Sequence, residues 1–355
     1  MASCEGLSGR QLIGNLIKER NKNEKTFFLI YGSIFLILTG VLLSGCDRGG
    51  DSGTVTEAIT EIRESVSESG TTEPVEKERI SLFADPTFQK GLWYSLREVA
   101  LPAGRFNFCY AVPKWQYSQE GSWYDIGKDS VYSSPEAGVH IYEDPAKYLY
   151  IDTNTGSFRL GMNTKKEFVP DRPSGWPSPG VLMTPTMTHD RYIKDMENLY
   201  VTLDFVLDKS DILMSEEEFD SNRHTAQWNF YVFVQDRDST SWYYVGLPLY
   251  DYRGTGQTKY IAGDVGTNGT MIYIPSAKEA YGEYKTVKVG ERFTVTVDLL
   301  PFIKDAYRAG TVRGYLRNVN LNNCYISGCN LGWEIPGSFD CLATVYRFDL
   351  AYTEK

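Results

Sequence analysis

Three histidines in 355 residues leave little material for histidine-centred acid–base chemistry or for metal sites built on imidazole. Basic residues are also in the minority, with 36 Lys and Arg against 46 Asp and Glu and a formal charge of −10. A chain of that sign has no general attraction for phosphate backbones, so nucleic acid is not expected as a partner. Several catalytic strings are missing: there is no Gly-x-Ser-x-Gly elbow, no P-loop and no His-Glu-x-x-His. No internal period of roughly 20–50 residues recurs, which argues against propellers and solenoids. Aromatic rings are what the chain has in quantity, with 25 Tyr, 17 Phe and 7 Trp. Apolar residues at 42% and charged residues at 23% match a folded chain.

Residues 27–45 carry no charge, a run long enough to cross a bilayer as one helix. Arg10, Lys18, Arg20, Lys22 and Lys25 precede it and only Arg48 follows closely. That basic excess sets the N-terminus in the cytoplasm and everything after residue 46 outside. The run closes on Leu43-Ser44-Gly45-Cys46, which resembles a bacterial lipobox. The resemblance implies lipid on the Cys46 thiol and an ectodomain tethered to the bacterial cell membrane or outer envelope, facing outward. An uncleaved membrane anchor is the alternative, and the long basic leader favours it. From Asp47 to residue 80 no aromatic occurs and Glu, Ser, Thr and Gly dominate, so a flexible spacer is expected. The chain thus divides into a signal or anchor (1–46), a linker (47–80) and an ectodomain (81–355).

The ectodomain reads as strand after strand. Leu199, Val201, Leu203, Phe205 and Leu207 alternate, as does Phe293–Asp298. In the last segment Leu342, Thr344, Tyr346, Phe348 and Leu350 oppose Ala343, Val345, Arg347 and Asp349. Residues 148–160 read as a hairpin turning at Thr153–Gly156. One short helix is expected from Pro301 to Ala309, with Gly310 as its stop. These patterns predict an all-β, two-sheet antiparallel β-sandwich of jelly-roll type with one short helix.

Residues 227–235 and 242–252 read as neighbouring strands. On the first, Trp228, Phe230, Val232 and Val234 share one side; Asn229, Tyr231, Phe233 and Gln235 share the other. Both sides are apolar or aromatic, unlike those of a half-exposed strand. One side is expected to pack between the sheets and the other to line a groove. A groove of Tyr231, Trp242 and Tyr244, edged by Asn229, Gln235, Asp251 and Arg253, suits a sugar chain: rings stack on its C–H faces and planar polar groups pair with its hydroxyls. A central strand buried on both faces is the alternative. Trp115, Trp123 and Trp176 fall in loop-like sequence and join the ligand-binding candidates.

The remaining chemistry is sparse. Cys109, Cys324, Cys329 and Cys341 could form two disulfides or stay free; a local Cys324–Cys329 bridge is one arrangement. No cofactor is expected. Asp236–Asp238 and Asp152–Asn154 space oxygens as calcium loops do, but hairpin turns explain them better. Leu331-Gly-Trp-Glu-Ile-Pro-Gly337 sets Glu334 beside an aromatic residue, similar to the late catalytic glutamate of jelly-roll glucanases. A partner acid would have to come from Asp204, Asp251 or Asp264. That stretch, with Ala343-Thr-Val-Tyr-Arg-Phe-Asp-Leu350 and the aromatic hairpin, resembles concanavalin-like and carbohydrate-binding-module jelly rolls. The resemblance implies polysaccharide or oligosaccharide binding on an aromatic platform. The leading expectation is therefore a membrane-anchored, non-catalytic glycan binder. The alternatives are a glycoside hydrolase or lyase using Glu334 with an Asp, and a structural or adhesive envelope protein with a protein partner.

Overall fold

Alternation at Leu199, Val201, Leu203, Phe205 and Leu207 yields a 17-residue strand, Met196–Ile212, in which all five side chains are fully buried. Each contributes about 1.5–3 kcal/mol relative to exposure. The computed structural model in which this is seen describes residues 77–355 apart from 99, 109–110, 169–177, 240, 255–257, 265–269 and 284. The apolar run 27–45, Cys46, linker residues 47–76, Cys109 and Trp176 therefore lie outside the described residues. No helix among the described residues is long and apolar enough to cross a membrane.

Met196–Ile212 lies between Arg292–Asp298 and Phe339–Glu354 in a sheet that continues through Ser157–Asn163, Lys147–Asp152, Val139–Glu143 and Val131–Ser133. Ile80–Ser81 adds to Phe339–Glu354, making eight strands among the described residues. The second sheet has eleven described strands. Its order is Tyr260–Asp264, Thr270–Ile274, Trp242–Gly246, Gln227–Asp236, Cys324–Glu334, Gly180–Pro185, Trp115–Ser118, Leu92–Ser95 and Pro102–Arg105. Arg191–Tyr192 and Tyr250–Asp251 pair at its side. Rings meet between the sheets, with Phe205–Trp228 centroids at 5.8 Å and Phe230–Phe348 at 5.9 Å. The fold is the expected two-sheet β-sandwich. Among the described strand pairs two are parallel, Trp242–Gly246 with Thr270–Ile274 and Leu92–Ser95 with Trp115–Ser118.

The hairpin turns at Gly156, whose φ of 76° is a left-handed conformation suited to glycine. Strict alternation fails in Phe339–Glu354. Ala343 and Val345 are buried, then Phe348 and Leu350, because the register slips at Tyr346 and leaves that ring exposed. A bulge moves the inward set by one residue. The single short helix expected is one of four α-helices among the described residues, the others being Ile126–Asp129, Thr164–Glu167 and Ala277–Tyr281, and the expected one differs in extent. It spans Leu300–Val312, with Pro301 in its first turn, and runs through Gly310. A Cβ at Gly310 would lie 2.7 Å from Leu316, so that glycine serves close packing and not termination.

Trp115 is a correction. It is the first residue of a strand, 2% exposed, and donates from its indole to the Asp85 carbonyl. A ring wedged between Phe83 and Phe88 faces the core and cannot line a groove. Cys324, Cys329 and Cys341 are free and buried. The Asp236 carboxylate accepts backbone N–H groups from Asp238, Ser239 and Asn320, and Asp152 accepts from Asn154 and Thr155. Both loops thus use their oxygens as turn acceptors, and no cluster of three or more metal-ligating side chains occurs among the described residues.

Candidate functional site

Register across the larger sheet brings one row of residues to its outer face. Glu334 pairs with Gly180 on one flank and Gln227 on the other, and Gln227 pairs with Asp251. The Gly180 amide donates to the Glu120 carbonyl at 3.0 Å, continuing the Ser118–Leu182 pairing by two residues. Directly paired residues point to the same side of a sheet. The row therefore reads Glu120, Gly180, Glu334, Gln227, Asp251.

Glu120, Gly180, Gln227 and Glu334 line a small cleft together with Ser178, Leu182 and Pro336. Between the two glutamates the floor is bare backbone, since a Cβ at Gly180 would stand 3.8 Å from Glu334 Cγ. Two strand spacings set the glutamate Cα atoms about 10 Å apart. For two side chains sharing one cleft, that separation is compatible with the roughly 5–10 Å carboxyl spacing used in glycoside hydrolysis. Both residues are about nine-tenths buried.

The groups beside them are ordered. Asn229 Nδ2 donates to Glu334 Oε2 at 2.8 Å. Asp251 accepts from Thr225 Oγ1 at 2.7 Å, Gln227 Nε2 at 2.8 Å, and the Arg253 backbone N–H and guanidinium. Burial pushes the Asp251 pKa up, but the hydrogen bonds from Arg253 and Thr225 outweigh it and hold the carboxyl below its ordinary value. Asp251 and Arg253 were expected at the rim; instead each satisfies the other, with side chains no more than 10% exposed. Asp204 cannot assist Glu334 either. It lies on the other sheet and is held by Arg292 at 2.6–2.7 Å. The side chain of Asp264 lies outside the described residues.

The loop that carries Glu120 is fastened from below. Glu167 Oε2 accepts the backbone N–H groups of Trp123 and Tyr124 at 2.5 and 3.0 Å, while its Oε1 meets Lys147 Nζ at 2.7 Å. Lys147 also donates to the Tyr124 carbonyl at 2.8 Å and pairs with Asp144 at 2.9 Å. Above this anchorage the Trp123 ring is 55% exposed.

The aromatic side of the central strand faces away from the sandwich core, as its alternation predicts, but it is not an open platform. Tyr231 and Tyr244 are 2% and 1% exposed. They belong to an edge-to-face cluster with Phe233 and Trp242, whose centroids lie 4.6–6.4 Å apart. Tyr231 lies over Gly246, where a Cβ would come within 2.7 Å of its ring. Rings that pack on one another withdraw their faces from solvent. Trp242 and Gln235 remain half-buried, the latter accepting from Tyr325 Oη at 2.9 Å. The structure thus brings Asn229 and Glu334 together and separates Trp115 from the site; Trp123 and Trp242 are the accessible rings among the described candidates, and Trp242 pairs with Gln235, at the far end of the strand from Gln227.

No family model and no curated protein matches the chain. Solved structures do. Endoglucanase cel12A from Rhodothermus marinus is 11% identical, with 61% of this chain and 93% of that one covered and a TM-score of 0.36. A family 12 xyloglucanase from Bacillus licheniformis is 9% identical, covering 66% and 99%, at 0.35. Endoglucanase 3 of Trichoderma harzianum is 8% identical, covering 67% and 98%, at 0.33.

Glu120 is the acid that sequence reasoning missed. Its signal was present, because Gln116, Ser118 and Glu120 continue the polar phase of a strand whose inward phase is Trp115 and Tyr117. Only the pairing through Gly180 relates it to Glu334.

Proposed function

We propose that the ectodomain hydrolyses a polysaccharide at the cleft between Glu334 and Glu120. The observation that carries this reading is that two glutamates from different strands line one cleft with only Gly180 between them. Glu334, ordered by Asn229, acts as general acid and gives its proton to the glycosidic oxygen. Glu120 acts from the other flank, as base toward water or as nucleophile. Glu120 takes the place of the Asp expected beside Glu334. Through Cys46, the site is proposed to be lipid-tethered and outward-facing, and unchanged palmitate-analogue labelling in Cys46→Ala would remove that part.

Reducing-sugar release across a panel of β-glucans, xylans and mannans is the test. Activity on at least one polysaccharide is expected, falling about 100-fold or more in both Glu334→Gln and Glu120→Gln. A blank panel, or activity that survives Glu334→Gln, defeats the proposal. A second reading, binding without hydrolysis, is favoured by the two accessible rings, Trp123 and Trp242. It predicts glycan-array hits that are lost in Trp242→Ala or Trp176→Ala yet indifferent to Glu120→Gln.

A further inference from the structure

We propose that the short α-helix Thr164–Glu167 is a strut that fixes the separation of the two cleft glutamates, with Thr164 and Glu167 as its positioning residues. The consequence for catalysis rests on the hydrolytic reading above; the mechanical coupling does not.

The helix is a single turn of four residues, capped by Asn163, whose side chain accepts the Lys166 backbone N–H. A turn this short has little stability of its own and persists because both its ends are fastened. Thr164 and Glu167 are each 2% exposed. At one end Thr164 Oγ1 donates to the Gly337 carbonyl at 2.6 Å and accepts the Phe339 backbone N–H at 2.8 Å. Gly337 lies three residues beyond Glu334. At the other end Glu167 Oε2 accepts the Trp123 and Tyr124 amides, and Trp123 lies three residues beyond Glu120. Lys147 locks this second end by reaching the Glu167 carboxylate and the Tyr124 carbonyl together. One turn of helix, about 6 Å long, therefore ties the segment behind one acid to the segment behind the other.

These ties reach the glutamates because neither segment is slack. Gln119 is fully buried and closes the base of the loop that follows it. Its Nε2 donates to the Ser95 carbonyl at 2.8 Å and to Asp125 Oδ1 at 3.1 Å, while its Oε1 accepts the Ile126 N–H at 2.8 Å. A displacement at Trp123 is therefore passed to Glu120 through a loop pinned at both feet. On the other side the Ile335 N–H donates to the Pro179 carbonyl at 2.7 Å, and the Thr225 N–H to the Pro336 carbonyl at 2.8 Å. Carboxyl groups about 5–5.5 Å apart suit direct attack on the sugar, and a gap of about 6.5–9.5 Å admits a water. A strut that holds this separation serves the chemistry as well as the fold.

Amide hydrogen exchange on the full chain in detergent tests the coupling. Thr164→Val deletes the hydroxyl that holds Gly337 and Phe339. Exchange is expected to quicken about tenfold at Trp123 and Tyr124, on the opposite end, while Leu203 in the other sheet keeps its rate and Thr164→Ser restores slow exchange. Unchanged rates at Trp123 and Tyr124 overturn the proposal, as does a matching rise at Leu203, which reports global loosening. Should Thr164→Val fail to fold, exchange of the wild type in rising urea decides. Trp123, Tyr124 and Phe339 are expected to open in one step, and separate openings overturn the strut. On a polysaccharide that the wild type hydrolyses, Thr164→Val is expected to lower kcat about tenfold and change KM by less than about twofold, with Thr164→Ser close to wild type. An unchanged kcat overturns the positioning role. A wild type without hydrolase activity removes the hydrolytic reading alone, and exchange still decides the strut.

Discussion

Replacing Lys147 by methionine preserves most of the volume of a side chain that is completely buried, but it removes the cation shared by two equally buried carboxylates. Lys147 Nζ stands 2.9 Å from Asp144 Oδ2 and 2.7 Å from Glu167 Oε1, and all three side chains have no solvent exposure. Breaking a buried ion pair by deleting one partner costs about 3–5 kcal/mol, most of it from the charge left behind. Here two charges are left behind, so the upper end applies. For a domain of this size, that cost lowers the melting temperature by roughly 10 °C or more. The Glu167 carboxylate also holds the Trp123 and Tyr124 amides, so amide exchange should quicken at residues 120–125 before the rest of the sheet. Equilibrium urea unfolding of the wild type, Lys147→Met and the triple variant Lys147→Met/Asp144→Asn/Glu167→Gln isolates the cause. With all three charges removed, stability should return to within about 2 kcal/mol of the wild type. A loss under about 1 kcal/mol in Lys147→Met, or a triple variant no better than the single one, would refute the reasoning.

Gly180→Ala should abolish polysaccharide hydrolysis while changing stability by under about 2 kcal/mol, because its Cβ enters the cleft 3.8 Å from Glu334 and presses only on the Trp333 carbonyl at 3.0 Å; unchanged kcat/KM would place the chemistry elsewhere. Asp251, whose folded pKa lies below its ordinary value near 3.8, contributes stability that is present above that value and lost as pH falls through the folded pKa. Urea titrations at pH 2–5 should therefore show a shallower acid limb in Asp251→Asn, and identical limbs would contradict the assignment. Burial pushes the Cys324 thiol up to about 12 and also raises the Cys329 and Cys341 thiols well above their ordinary value. Iodoacetamide at pH 8 should therefore leave all three unmodified in the folded protein and label them in urea; modification of the native chain at these positions would disprove their burial.

Strand identity was legible wherever burial on one side enforced period two, as along Met196–Ile212 and on both faces of Gln227–Asp236. It blurred where a bulge shifted the phase, at Tyr346, and where a glycine belonged to packing, at Gly310 in the helix. Trp115 was misread as a loop ring because the strand beginning there is only four residues long, too short for periodicity to register. For the site, Glu334 and Asn229 could be named from the sequence but their contact could not, since 105 residues separate them and only antiparallel register closes that distance.

Taken alone, the order of residues settles which faces are apolar, because side chains alternate along a strand whatever its neighbours are. It therefore determines the all-β class, the inward set of each long strand and the scarcity of histidine chemistry. It cannot choose which strands lie side by side, and so it says nothing of which polar residues share a row. Pairing through Gly180 joins Glu120 to Glu334, and packing over Gly246 hides Tyr231. Both depend on backbones that are not neighbours in sequence approaching closely where no side chain intervenes, and that approach exists only in the folded sheet.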